Sequence, residues 1–351
     1  MTSSLKGLVS RGATFIKTGS FHNNKNATGI FPAVDPEVDG PDCDKDCASC
    51  TVRYPSKFKI DEEDELYGHI KGWATQVLVA TGKTDWVRDV EDEKGSVMEA
   101  FGKAAGPSNG RLMLSASNMH TPDEYHAAPE GRQPTTILLL PAFTVIEHVT
   151  PQDVPLVIQN YINPAPTTTT PLTAPITIPS PAPDSKLTSK PCPHKYLILL
   201  CSQKTRDARC GQSAPLLRKE FERHLRPLGL YRDLDDERPD GVGIYFISHV
   251  GGHKYSANVI IYRRADAETA GPSDFVAESN GNGAANGAAA DGDTTNAKTA
   301  EAGAGQCIWL ARVRPEDCEG IIKYTILQGK TVKPERQLRG GFDREKGLTS
   351  W

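Results

Sequence analysis

At 351 residues the chain is longer than one typical core and predicts two domains. Its 40 basic and 44 acidic side chains leave a formal charge of −4, which gives no electrostatic reason to expect nucleic acid or an anionic membrane as partner. No uninterrupted apolar run approaches the roughly 20 residues of a bilayer span, so no membrane span is expected.

Residues 1–55 lack a sustained hydrophobic period and read as a flexible N-terminal arm. Lys6, Arg11, Lys17 and Lys25 alternate with Leu5, Leu8, Val9, Phe15 and Ile16, and no acid precedes Asp35. That is the pattern of a mitochondrial transit peptide, or simply of a basic tail. Further along the arm stand Cys43, Cys47 and Cys50. Zinc or an iron–sulfur cluster wants four donors and no histidine is adjacent in sequence, so these read as reduced thiols on a mobile segment.

Residues 56–163 form the first folded region. Gln76 to Thr81 reads as a buried strand closed by the turn Gly82-Lys83-Thr84, with further strands at Leu112-Met113-Leu114 and Ile137 to Leu140. Pro151-Gln152-Asp153 opens a helix whose apolar face includes Val154, Val157, Ile158 and Tyr161. Residues 164–193, where proline recurs among threonines, read as an extended linker and a domain boundary.

The second region spans 194–340. Its order reads strand (196–201), loop, helix from Pro215 (about 214–228), strand (243–248), loop, strand (257–263), insertion, strand (308–313) and helix (316–328). The insertion, 265–306, is rich in Gly, Ala, Asn and Asp and reads as a disordered loop. Residues 341–351 follow as a C-terminal tail. Both regions open with an apolar strand and close with strand, proline, Asp two residues on, and an amphipathic helix (Pro151/Asp153 against Pro315/Asp317), which suggests an internal duplication.

Cysteines occur at 43, 47, 50, 192, 201, 210, 307 and 318, and nothing ahead of them reads as a secretory signal. Metal ligands or buried free thiols are therefore expected rather than a disulfide framework. Cys201 ends the strand 196–201, Cys210 closes the loop after it, and His249 and His253 flank Gly251-Gly252 at the end of another strand. Two soft thiolates and two imidazoles at strand ends form a metal-ligand set. The pattern admits two core cysteines with loop histidines, a structural Cys₂His₂ zinc site, or a [2Fe–2S] cluster. Gly251-Gly252 disfavours one helix face carrying both histidines and permits a tight loop. Cys192, His194, Cys307 and Cys318 read as structural. Lys204, Arg206, Arg209 and Lys254 surround the ligands, as either a docking patch or a solvated loop, and Asp207 is placed to brace Arg206 or Arg209.

The segments Leu200 to Gly211, His249 to Val259 and Ile308 to Val313 resemble the sucrase/ferredoxin-like family. Within it the early Asp42-Cys43 to Cys47 element and the final Ser350-Trp351 are similar to a fungal branch named for actin patches, while Arg339-Gly340-Gly341 is similar to a mitochondrial branch. The resemblance implies a C-terminal thioredoxin-like ferredoxin domain; together with the internal duplication, the expected fold is α/β with two thioredoxin-like halves, the N-terminal one degenerate. The resemblance further implies a [2Fe–2S] cluster with Cys201 and Cys210 on one iron and His249 and His253 on the other. The expected function is electron transfer with proton-coupled reduction, by a redox carrier rather than a catalyst with its own substrate, working with a reductase or electron acceptor. The alternative is an actin-cortex adaptor with a structural zinc or cluster site. No carboxylate pair is placed for glycoside hydrolysis. Trp351 resembles a signal read by the cytosolic iron–sulfur assembly machinery, which implies the cytoplasm, against the mitochondrial alternative drawn from the N-terminus.

Overall fold

The computed structural model describes residues 29–173, 186–267 and 303–351. The basic N-terminal stretch, the middle of the Pro/Thr-rich segment and most of the 265–306 insertion lie outside the described residues. Twelve strands form one mixed sheet: β1 (Thr75–Ala80), β2 (Leu112–Ser117), β3 (Thr135–Leu140), β4 (Thr144–Val149), β5 (Thr188–Pro191), β6 (Tyr196–Cys201), β7 (Tyr231–Arg232), β8 (Val242–Ile247), β9 (Val259–Arg264), β10 (Ala304–Leu310), β11 (Leu338–Asp343) and β12 (Leu348–Thr349). Their order is β12-β11-β10-β9-β6-β8-β2-β1-β3-β4-β5, with β7 beside β8. The protein is thus mixed α/β, with several helices packed on a large mixed sheet.

One pairing pattern occurs twice. β1 runs parallel to β2 and antiparallel to β3, which pairs antiparallel with β4. β6 likewise runs parallel to β8 and antiparallel to β9, which pairs antiparallel with β10. The two sets meet edge to edge where β2 pairs with β8 at Ser117 and Ile247. Their closing helices also match. Each begins as a 3₁₀ turn, Pro151–Asp153 or Pro315–Asp317, whose aspartate accepts from the amide of the residue before the proline (Thr150 or Arg314), passes through a short α turn, and widens into a π-helix, Ile158–Ile162 or Ile321–Ile326.

β1 and β6 are buried along their whole length because they sit inside the sheet and are covered on both faces. On one face Val77, Leu139, Ile198, Leu200 and Phe246 pack against helical Phe101, Leu217, Phe221 and Ile322. On the other, Leu78, Leu138, Leu199, Ile260 and Tyr262 meet Trp73, Trp309 and Phe342. Trp73, just ahead of β1, lies 5.8 Å from the Trp309 ring of β10, and the Tyr262 hydroxyl donates to Gln76 at 2.7 Å. Strands four or more places apart therefore touch across this face, so the sheet curls over it, as strand twist favours. No helix among the described residues is long and apolar enough to cross a membrane.

Several expectations are corrected. The long helix runs Ala208–Leu225, not from Pro215: Asp207 caps it by accepting from the Arg209 amide, and Pro215 falls inside. Residues 29–55 do not stand free. Phe31 is fully buried, the Val34 amide donates to the Thr331 carbonyl and the Thr331 amide to that of Pro32, and Cys43, Cys47 and Cys50 are buried free thiols rather than thiols on a mobile segment. The ends of the Pro/Thr-rich segment are ordered too: Thr168 is buried with its hydroxyl donating to the Trp73 carbonyl, and residues 188–191 form β5. The tail expected from residue 341 belongs to β11 and β12, which extend the sheet beyond β10.

Candidate metal centre

β6 delivers Cys201 at its last position. The loop after it is held from the other set of strands. Ser202 Oγ donates to the Thr84 carbonyl at 2.8 Å, and Asp85 accepts from the Thr205 amide and hydroxyl at 2.9 and 2.8 Å. Gln203 donates to the Val87 carbonyl at 2.5 Å while its Oε1 accepts from the His249 amide at 2.8 Å. The long helix then begins, with Cys210 in its first turn.

β8 ends at Ile247 and the chain turns through His249, Gly251 and Gly252 into the 3₁₀ turn His253–Tyr255. Gly252 has φ +72°, and a Cβ there would stand 2.7 Å from Arg339 Nη1, so no larger residue fits without displacing that guanidinium. Arg339 is itself buried. It donates to the Gly251 carbonyl at 3.1 Å and Asn258 Oδ1 at 2.8 Å, and its guanidinium lies 4.8 Å from the Trp309 ring centroid. Asn258 Nδ2 in turn donates to the Gly252 carbonyl at 3.0 Å.

These two loops bring three soft or borderline donors together. The Cys201 and Cys210 sulfurs are 3.4 Å apart, and Cys201 Sγ lies 3.8 Å from His249 Nδ1. Cys201, Cys210 and His249 offer ligand atoms all within 4.8 Å of one another. The hydrogen bond from Cys201 draws the Cys210 thiol below its ordinary value against the opposing effect of burial, with the His249 ring and Ser256 hydroxyl adding to the lowering. The same bond, together with burial, pushes Cys201 up. Two thiols this close and this buried disfavour a second negative charge unless a cation joins them.

His253 stands beside this group rather than within it. Its ring centroid is 5.3 Å from that of His249, and its Nε2 lies 3.9 Å from Asp207 Oδ2. Its Nδ1 is buried with no hydrogen-bond partner. An orphaned nitrogen on the ring beside His249, which itself meets the two sulfurs, fits a soft or borderline metal group. Of the surrounding cations, Arg206 pairs with Asp89, Arg209 with Asp207, and Lys254 with Asp61 and Asp64. Cys192, His194, Cys307 and Cys318 are all buried in the core. Trp351 is not a frayed end, since its ring packs 4.5 Å from that of Trp73.

Gln203, Ser256, Asn258 and Arg339 support the ligand loops and were not singled out by residue type. Only their adjacency in sequence to the cysteines and histidines signalled the first three; Arg339 carried no such signal.

Actin patches distal protein 1 of Saccharomyces cerevisiae is 53% identical over 70 residues, covering 20% of this chain and 22% of that protein. Altered inheritance of mitochondria protein 32 is 30% identical over 140 residues in Clavispora lusitaniae and 32% over 139 in Debaryomyces hansenii. Those matches cover 40% of this chain and 33% and 34% of the relatives. The matched segments therefore span about a third or less of the relatives' own length. No solved structure matches the chain. The sucrase/ferredoxin-like profile matches residues 66–340, most of the chain and all four candidate ligands. By the extent of that match, the chain belongs to the sucrase/ferredoxin-like family.

Proposed function

We propose that this chain is an electron-transfer protein whose Cys201, Cys210, His249 and His253 hold a [2Fe–2S] cluster, in a C-terminal half that is thioredoxin-like. The observation that carries the reading is the convergence of two buried sulfurs and the His249 nitrogen within 4.8 Å, beside the unpartnered Nδ1 of His253. The repeated strand pattern supports a duplicated thioredoxin-like unit, the N-terminal copy having no such donors.

Bound at these residues, the cluster supplies reversible one-electron uptake. Cys201 and Cys210 contribute two negative charges where an all-cysteine site contributes four, which favours accepting an electron. His249 and His253 each keep a second ring nitrogen able to hold a proton. For His253 that nitrogen is Nε2, with the Asp207 carboxylate 3.9 Å away to stabilise the protonated ring. Burial of Cys201 and Cys210 keeps water from the sulfurs, while the partly exposed His253 faces outward. An electron partner, a reductase or an acceptor, meets the protein most directly on the histidine side.

This reading makes the protein a redox carrier, which we place in the cytoplasm. The mitochondrial alternative is supported by the names of two relatives. A second reading, an adaptor at actin patches in which the metal only braces the fold, is favoured by the 53% match to the actin patches relative.

Visible absorption of the purified full chain separates them. A reddish-brown chromophore bleached by dithionite, lost in Cys201→Ser and altered in His249→Ala, is expected. A colourless protein that binds one zinc ion contradicts the electron-transfer reading. The reduction potential is expected to fall as pH rises; a potential independent of pH removes the proton coupling.

A further inference from the structure

Cys47, His224 and Glu319 are remote in sequence, yet their donor atoms all lie within 4.8 Å of one another. We propose that they form a second metal site, which takes one zinc-class divalent ion with three protein donors and a water completing its shell. This inference does not depend on the electron-transfer reading.

The fold supplies what the sequence around Cys47 lacks, a histidine. The Cys47 amide donates to the Glu316 carbonyl at 2.9 Å, tying the segment to the closing helix that carries Glu319. His224 comes from the last turn of the helix Ala208–Leu225, its Nε2 3.8 Å from Cys47 Sγ. Cys210 lies in the first turn of that helix, so the two sites are separated by about 21 Å at 1.5 Å per residue. One thiolate, one imidazole and one carboxylate are donors zinc accepts at open sites. With a neutral imidazole, the thiolate and carboxylate offset the charge of a divalent ion, so little net charge is left at a half-buried position.

Access and electrostatics agree. Cys47 and Glu319 line a surface cavity of about 580 Å³ that also presents Asp42, Cys43 and Asp46. The Arg223 guanidinium reaches this pair: Nη2 lies 3.7 Å from Cys47 Sγ and 2.8 Å from His224 Nε2, while Glu220 anchors the same guanidinium at 2.8 Å. A positive charge is thus already favoured between the two donors. An entering ion competes with Arg223, which keeps Glu220 as its partner when displaced.

That competition gives the test a signature of two signs. The full chain carrying Cys201→Ser and Cys210→Ser, in which the first site offers no thiolate, is titrated with Co²⁺ alone and followed by its thiolate-to-metal absorption band. One equivalent is expected to develop the band and Zn²⁺ to abolish it. Cys47→Ser should remove the band, His224→Gln and Glu319→Gln should each weaken binding by about tenfold or more, and Arg223→Ala should tighten it. A band that survives Cys47→Ser overturns the proposal. Should Cys47→Ser fail to fold, as judged by circular dichroism, the other two variants decide: affinity unchanged by both His224→Gln and Glu319→Gln overturns it equally.

Discussion

β1 and β6 hold the same place in their two sets of strands, with a parallel neighbour on one side and an antiparallel one on the other. β6 ends on Cys201 and β1 on Ala80. Beyond β1, the segment 84–89 turns to the other set's ligand loop: Thr84, Asp85, Val87 and Asp89 meet Ser202, Thr205, Gln203 and Arg206. The difference teaches a division of labour. One set carries the soft donors, and the matching loop of the other holds the segment that presents them.

The largest way to break this comparison lies at the strand ends away from the ligands. Two residues ahead of β6 stands buried His194; two ahead of β1 stands Trp73. Burial lowers His194 from its ordinary value to about 4. The native state therefore favours the neutral ring. Its contribution is complete above the unfolded value near 6.5 and is lost as pH falls toward 4, where the unfolded chain binds the extra proton first. The expected loss across that window is about 3 kcal/mol at 1.36 kcal/mol per pH unit. Urea unfolding at pH 7 and pH 4.5 should show it, and His194→Gln should flatten the dependence. An equally steep loss in that variant rejects the assignment.

A smaller effect compares two glycines. Gly252→Ala meets both a positive φ and the Arg339 guanidinium, whereas Gly82→Ala, after β1, has φ +65° but nothing within 4 Å of the new Cβ. Gly82→Ala should cost only the backbone penalty of about 1 kcal/mol, and Gly252→Ala about 2 kcal/mol or more, with an altered spectrum of the proposed cluster. Equal midpoint shifts in thermal unfolding would show that Arg339 does not constrain the histidine loop.

Smallest in stability is Asp85→Ala, which removes the carboxylate accepting from Thr205. Hydrogen bonds at the surface set its cost near 1 kcal/mol. Its sharper readout is cluster retention: bleaching in the presence of a chelator should be faster than for the parent. Unchanged retention would mean the N-terminal clasp is not needed to hold the ligand loop.

The stretch 196–201 was legible in the sequence because an unbroken apolar run ended on a thiol, and the meeting of Cys201 and Cys210 with His249 because a second apolar run led into that histidine. The start of the long helix was not. Pro215 suggested a first turn, while the actual signal was Asp207, whose side chain caps the Arg209 amide. Residues 29–55 carry isolated Ile30 and Phe31 without any period, so their burial was invisible until the sheet and closing helix gave them a surface. The meeting of Cys47 with His224 spans 177 positions, and no local spacing rule reaches that far. Strand β11 was hidden by Arg339-Gly340-Gly341, since glycines depress strand propensity even where a neighbouring strand supplies the pairing.

The measurement closest to the central claim is the Mössbauer spectrum of ⁵⁷Fe-labelled full chain in its oxidised state. Two thiolates on one iron and two imidazoles on the other should give two doublets of equal area and different quadrupole splitting. A single doublet, or a protein that retains no iron while correctly folded, would contradict a cluster shared by Cys201, Cys210, His249 and His253.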